Sequence, residues 1–219
     1  MRLRRRWWRE IFFLCALLFS LAALLPLRVA LGLLGFADKG LAAREATGSI
    51  WLGALSEARF GTVPLGDVAT RLRALPLLVG RARLDLEQPD DGLRAGVTAS
   101  RHGFGIDDAT GRIEAGPLTT LPAPTLDLSD LSVSFESGLC VHADGLVKAR
   151  FAGDLGGVPL PSGLSGEARC DGPALLLPLV AQSGGERLDF RLFADGRYRV
   201  DASLRPGGVP YSSRFEGRF

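Results

Sequence analysis

Cys140, Cys170, His102 and His142 are the side chains of this chain best suited to ligate a metal or act as nucleophiles. Zinc sites need ligands in closely spaced pairs. The two histidines stand far apart, and neither cysteine lies at finger spacing, so no metal site is predicted. Cys140 lies two residues before His142, a spacing at which imidazole could activate a thiol. In an oxidising compartment that thiol would not stay free, and His142 then reads as a surface histidine beside a disulfide cysteine. Ser162 and Ser165 lie in Pro161-Ser162-Gly163-Leu164-Ser165-Gly166, which lacks the flanking glycines of a hydrolase elbow. Gly103-Phe104-Gly105 lacks the third glycine and helical sequel of a dinucleotide site. Asp90-Asp91 and Asp107-Asp108 could bind calcium or work as acid and base, but adjacent carboxylates near glycine read more simply as solvated turn residues. No catalytic residue, metal or cofactor is therefore predicted.

The elements that would carry these residues read as strands. Ala82, Leu84 and Leu86 alternate with Arg81, Arg83, Asp85 and Glu87, and Leu93, Ala95, Val97 and Ala99 alternate with Arg94, Thr98 and Ser100. Period two marks strands with one buried face. It recurs at Leu131, Val133 and Phe135; at Val147, Ala149 and Phe151; at Leu164, Ala168 and Cys170; at Leu188, Phe190 and Leu192; and at Tyr198, Val200, Ala202 and Leu204. Turn-prone clusters separate the strands, at Gln88–Gly92, Asp107-Asp108, Gly156-Gly157 and Arg205–Gly208. Sequential short strands of this kind predict an all-β domain, a curved antiparallel meander or a sandwich-like fold. Two apolar stretches, Leu75–Val79 and Ala174–Val180, interrupt the alternation and read as core-facing connections, since a proline in a short apolar run marks the edge or end of an element. The closing residues Tyr211–Phe219 alternate and end on an aromatic, as outer-membrane barrel strands do. Aromatics make up only 8% of the chain, too few for the girdles of a lipid-facing wall.

From Ile11 to Leu27 no charge occurs, close to the length a helix needs to cross a hydrocarbon core. Arg2, Arg4, Arg5, Arg6 and Arg9 precede this run, and Trp7 and Trp8 stand at its start as interfacial anchors. The positive-inside rule then divides the chain into a basic cytoplasmic segment (residues 1–10), a transmembrane anchor (11–35) and a periplasmic all-β domain (46–219). A cleaved signal peptide shares this layout, but its apolar core is usually shorter. Because the net charge of +2 is carried by the leading arginines, the remainder is slightly acidic and carries no nucleic-acid footprint. Either N-terminal reading exports the domain, so Cys140 and Cys170 meet an oxidising compartment. A bridge closing a loop of about thirty residues would contribute roughly 3 to 4 kcal/mol; two buried free thiols are the alternative. Cys15 lies within the apolar run and reads as a small hydrophobe.

Several of these stretches together resemble the type II secretion system protein N family. They are the Arg-rich start with its single span; Ala46-Thr47-Gly48-Ser49-Ile50-Trp51-Leu52-Gly53; Val63–Val68 leading into Arg71–Gly80; and Gly138-Leu139-Cys140 with Ala168–Gly172. The most specific element is Thr47-Gly48-x-x-Trp51-x-Gly53. Read physically, Gly48 and Gly53 bracket a short strand in which Ile50 and Leu52 point inward and Trp51 packs at a sheet edge. The resemblance implies a non-enzymatic inner-membrane subunit, periplasmic for most of its length, that works with other type II secretion subunits and needs no cofactor. A span followed by short Gly-started strands also resembles the membrane-anchored β-groove proteins of the AsmA type, which implies lipid as the alternative partner. In that case Leu84, Leu86, Val97, Val133, Phe135 and Phe190 would line an open groove, whereas a sealed core would speak against it.

Overall fold

The computed structural model describes residues 11–17, 20, 24–29, 41–60, 63–89, 92–114, 124–151, 154–155, 158–159, 163–204 and 211–218. Its strands are β1 (Leu41–Ala42), β2 (Glu45–Gly48), β3 (Gly53–Phe60), β4 (Val63–Arg73), β5 (Ala82–Glu87), β6 (Arg94–Ala99), β7 (Gly103–Glu114), β8 (Pro124–Glu136) and β9 (Leu139–Phe151). They continue with β10 (Asp154–Leu155), β11 (Val158–Pro159), β12 (Leu164–Glu167), β13 (Arg169–Asp171), β14 (Ala174–Ala181), β15 (Arg187–Phe193), β16 (Arg197–Leu204) and β17 (Tyr211–Arg218). All but β10 and β11, which form a hairpin of their own, join one antiparallel sheet. Its order is β1-β3-β4-β5-β6-β7-β8-β9-β12-β14-β15-β16-β17, with β2 beside β3 and β13 beside β14. The all-β meander read from the period-two pattern is thus the architecture observed.

Register gives the sheet one apolar and one charged face. A single apolar rung crosses six strands, Leu72 to Leu84 to Val97 to Ile106 to Val133 to Ala143. Beyond β12, Leu177, Phe190, Val200 and Phe215 form another. On the opposite face Pro178, Asp189, Asp201 and Arg214 stand in line, and Arg191 and Arg214 both pair with Asp201, at 3.2 and 2.5 Å.

Bulges bend the sheet. Register shifts occur between β3 and β4, β7 and β8, and β8 and β9, and Glu57, Asp108 and Asp130 adopt positive φ there. Each bulge adds local twist. The curl brings Leu126, Leu128 and Leu131 of β8 against a core formed by Val147, Ala149, Leu164, Leu188 and Val200. That half is sealed, with Val200 and Ala149 at 0% exposure. The apolar face of β5–β7 is more open: Leu84, Leu86 and Val97 are half-buried, and Phe104 and Ile106 are 49% and 41% exposed.

Three segments differ from their sequence reading. Ala174–Ala181 is not a connection but a strand inside the sheet, pairing with β12 and β13 on one side and β15 on the other. Leu75–Val79 does not face the core. A one-turn helix, Ala74–Leu77, has no buried residue, and Leu75, Leu78 and Val79 are exposed. Asp107-Asp108 is not a turn but the bulge of β7, where the Asp108 N–H donates to Ser132 Oγ at 3.1 Å.

At the N-terminus residues 11–17 are helical, and Ile11, Phe12, Phe13, Leu14 and Leu17 are exposed. No helix among the described residues is long and apolar enough to cross a membrane. Residues 18, 19, 21–23 and 30–35 of the expected span lie outside the described residues, as do Arg4, Arg5, Arg6, Trp7 and Trp8. Leu27 is buried in a cluster with Leu55, Ala58 and Val68, and Pro26 bridges to Ser49. Leu25, whose carbonyl accepts from the Ile50 N–H, Pro26 and Leu27 therefore pack on the strand domain.

Candidate functional site

The Thr47–Gly53 segment forms the β2–β3 hairpin. Thr47 pairs with Ala54 and Gly48 with Gly53, and the turn closes through the Ser49 N–H donating to the Leu52 carbonyl at 3.0 Å. The Leu52 N–H donates to Ser49 Oγ at 3.3 Å. Both glycines are required by contact. Gly48 has φ +82°, and a Cβ there would lie 2.5 Å from the Leu52 carbonyl oxygen; a Cβ on Gly53 would lie 2.6 Å from Leu27 Cδ2. These residues thus bracket a turn rather than a short strand. Leu52 points outward and is exposed, contrary to the inward direction read from sequence, while Ile50 and Trp51 are half-buried.

A disulfide joins Cys140 at the start of β9 to Cys170 in β13, with Cα atoms 5.5 Å apart. Cys140 is buried among Val133, Phe135, Ala168 and Leu175, and Cys170 packs against this group. The bridge fastens the short β13 to β9 at the point where β12 has ended.

The charged face of β4–β7 meets the hairpin in an open cavity of about 780 Å³, lined by Gly48 and Leu52 on one side and by Arg71, Arg73, Arg83 and Asp85 on the other. Arg73 Nε donates to Asp85 at 2.5 Å and Arg83 Nε at 3.1 Å. Arg83 also reaches Asp107 and Asp108, each at 3.3 Å. Partial burial pushes the Asp85 carboxyl up, and hydrogen bonds from Arg73 and Arg83 outweigh it, so its pKa lies below the ordinary value. The bond to Asp85 raises that of Arg83 in turn. Carboxylates held ionised by guanidinium groups are poorly placed to move protons near neutral pH. The arrangement suits rigid charge presentation rather than acid–base work.

The other residues singled out for chemistry do not converge. His142 pairs with Asp144 at 3.0 Å on the exposed surface, and His102 is exposed in the β6–β7 turn. Ser165 is exposed on β12, while Asp90, Asp91 and Ser162 lie outside the described residues. Among the described residues no group of histidine, cysteine and carboxylate side chains could hold a metal ion.

A protein-family model described as "Type II secretion system (T2SS), protein N" matches residues 39–210. The chain belongs to this family. No curated protein and no solved structure matches it. The match to this type II secretion family runs from just before β1 to just before β17, so it spans β1 to β16 rather than one motif within the meander. The hairpin, the disulfide and the curled sheet all fall inside the matched region. Sequence reasoning found the hairpin glycines and the two cysteines. It missed the ion-paired face of β4–β7, although Arg71, Arg73, Arg83 and Asp85 already stood in phase along two neighbouring strands.

Proposed function

We propose that this protein is a non-catalytic subunit of a type II secretion system, tethered to the inner membrane by an anchor within residues 11–35 with its N-terminus in the cytoplasm, and assisting protein export from the periplasm. The family match over residues 39–210 carries the reading. The Arg-rich start and uncharged run support the tether and its direction. The disulfide fits an oxidising compartment. The role proposed is recognition. Strand β17 pairs with β16 alone among the described strands, so its outer edge offers unpaired N–H and C=O groups to a partner strand.

Retrieval of the tagged full-length chain from its own membranes in mild detergent, with bound proteins and lipids identified together, tests this. Co-recovery of other type II secretion subunits is the expected result. The openness of the apolar face around Phe104 and Ile106 favours a second reading, a groove that holds acyl chains. Stoichiometric phospholipid without secretion subunits would establish that reading instead.

A further inference from the structure

The β4–β5 connection exposes more apolar surface than any other described turn. Leu75 is 80%, Leu78 83% and Val79 74% exposed. Water is a poor environment for such a cluster, and contiguous exposed apolar groups mark sites of contact with membranes or proteins. The backbone of this tip is already satisfied from within: the N–H groups of Leu78, Val79 and Gly80 donate to the carbonyls of Leu75, Pro76 and Leu77, and that of Arg81 to Pro76. Entry into hydrocarbon would thus strand few polar groups, the condition that decides which backbone a bilayer admits.

The tip does not stand alone. In an antiparallel meander alternate turns fall at the same end, so the β2–β3, β4–β5, β6–β7 and β8–β9 turns share one end of the sheet. Apart from Tyr211, every exposed large hydrophobic of the described strand domain lies at or near that end, including Leu52, Leu139 and Val141. The exit of the N-terminal segment is there too: Leu27 touches Gly53, and Gly53 pairs with Thr70. From Thr70 to the tip at Ala74 the strand rises only roughly 13 Å. Arg71, Arg73 and Arg81 flank the tip, and the helical turn itself carries no acidic residue in its first turn. Apolar side chains rimmed by arginine match an acyl layer beneath anionic headgroups.

We propose that the Ala74–Val79 tip enters the headgroup and outer acyl region of a phospholipid bilayer, with Arg71 and Arg81 on lipid phosphates. That this bilayer is the one holding the N-terminal anchor rests on the tether proposed above. Two contacts, the tether and the tip, then fix the end of the sheet against the membrane and hold the strands at a set angle to it.

The test uses the full chain with Cys15→Ala, carrying Leu78→Cys or Gln182→Cys labelled with an environment-sensitive fluorophore and reconstituted in phosphatidylethanolamine–phosphatidylglycerol vesicles. Leu78 is exposed, so its replacement spares the fold; Gln182, in the turn at the opposite end, is also exposed. A blue-shifted emission at position 78, quenched by nitroxide lipid, with neither effect at 182, is expected. Adding Arg71→Glu and Arg81→Glu should weaken the shift in these vesicles and leave it unchanged in phosphatidylcholine. A chain that floats with vesicles but keeps a water-like probe at 78 overturns the tip proposal alone. A chain that does not float overturns the tether as well. Shielding at 78 seen only in native membranes assigns the tip to a protein partner and overturns the proposal.

Discussion

Leu27 rests directly on Gly53, so closely that a single added Cβ would stand 2.6 Å from its Cδ2 atom. This contact docks the end of the N-terminal apolar segment onto the first long hairpin. Together with the Thr47 and Ser49 carbonyls, 2.9 and 3.0 Å from the same point, it leaves room only for glycine at a position that needs no positive φ.

Gly53→Ala should push Leu27 out of its cluster with Leu55, Ala58 and Val68 and cost about 1–3 kcal/mol, the usual range for overpacking. Leu27→Ala removes the nearest obstacle and leaves the Thr47 and Ser49 carbonyl oxygens at 2.9 and 3.0 Å, so the double variant should lose less than the sum of the two single changes while remaining less stable than Leu27→Ala alone. Thermal midpoints of the four proteins in one detergent complete the cycle, and strict additivity would refute the contact.

Cys140→Ser with Cys170→Ser should lower stability by about 2–5 kcal/mol. Reductant should shift the urea midpoint of the native chain and leave that of the double variant where it is. The loss should be larger than for an exposed bridge because Cys140 is 8% exposed, within a packed cluster.

Thr70 is 3% exposed, and its hydroxyl has no hydrogen-bond partner among the described residues. Thr70→Val keeps the shape and removes a buried unpaired polar group, so stability should hold or rise by up to about 2 kcal/mol. A fall of the thermal midpoint would show that the hydroxyl is bonded after all.

Asp127 accepts a hydrogen bond from Arg112 Nε at 2.8 Å and pairs with Arg150. The Arg112 bond, then that from Arg150, holds its carboxyl below the ordinary pKa. A folded value below the unfolded one contributes stability above the unfolded pKa and loses it as pH falls through the folded one. The chain should therefore weaken on acidification below about pH 4. Asp127→Asn should flatten that acid limb and lower stability near neutrality, read from urea midpoints across the range.

Much of the fold was legible because most strands bury one face only. Leu84 and Leu86 between Arg83, Asp85 and Glu87 announced β5 by alternation, and the register confirms that these two sets part to opposite faces. Strand β14 was illegible for the complementary reason. Ala174, Leu175 and Leu176 are all buried, so both phases are apolar and no period shows. Its proline also argued against a strand. Yet Pro178 falls between the pairs Ser165–Val180 and Arg169–Leu176, where the neighbouring strand breaks and no ladder N–H is needed. The exposure of Leu75–Val79 could not be read at all, because sequence reveals that a run is apolar but not what covers it. The hairpin glycines were visible as a pattern, but the contact of Gly53 with Leu27, distant in the chain, was not.

The order of the sheet has a consequence for how the chain assembles. From β3 to β9 each strand pairs with the one synthesised just before it, and the same holds again from β14 to β17. As the chain extends from its N-terminal side, each of these strands thus finds its template already in place. Each hairpin closes over a short loop, so the entropic toll that slows most large β-folds is met in small instalments. The Cys140–Cys170 weld and the burial of Leu126 and Leu128 against Leu188 and Val200 must await later segments. The growing edge advances with the emerging chain, and among the described strands β17 leaves that edge open.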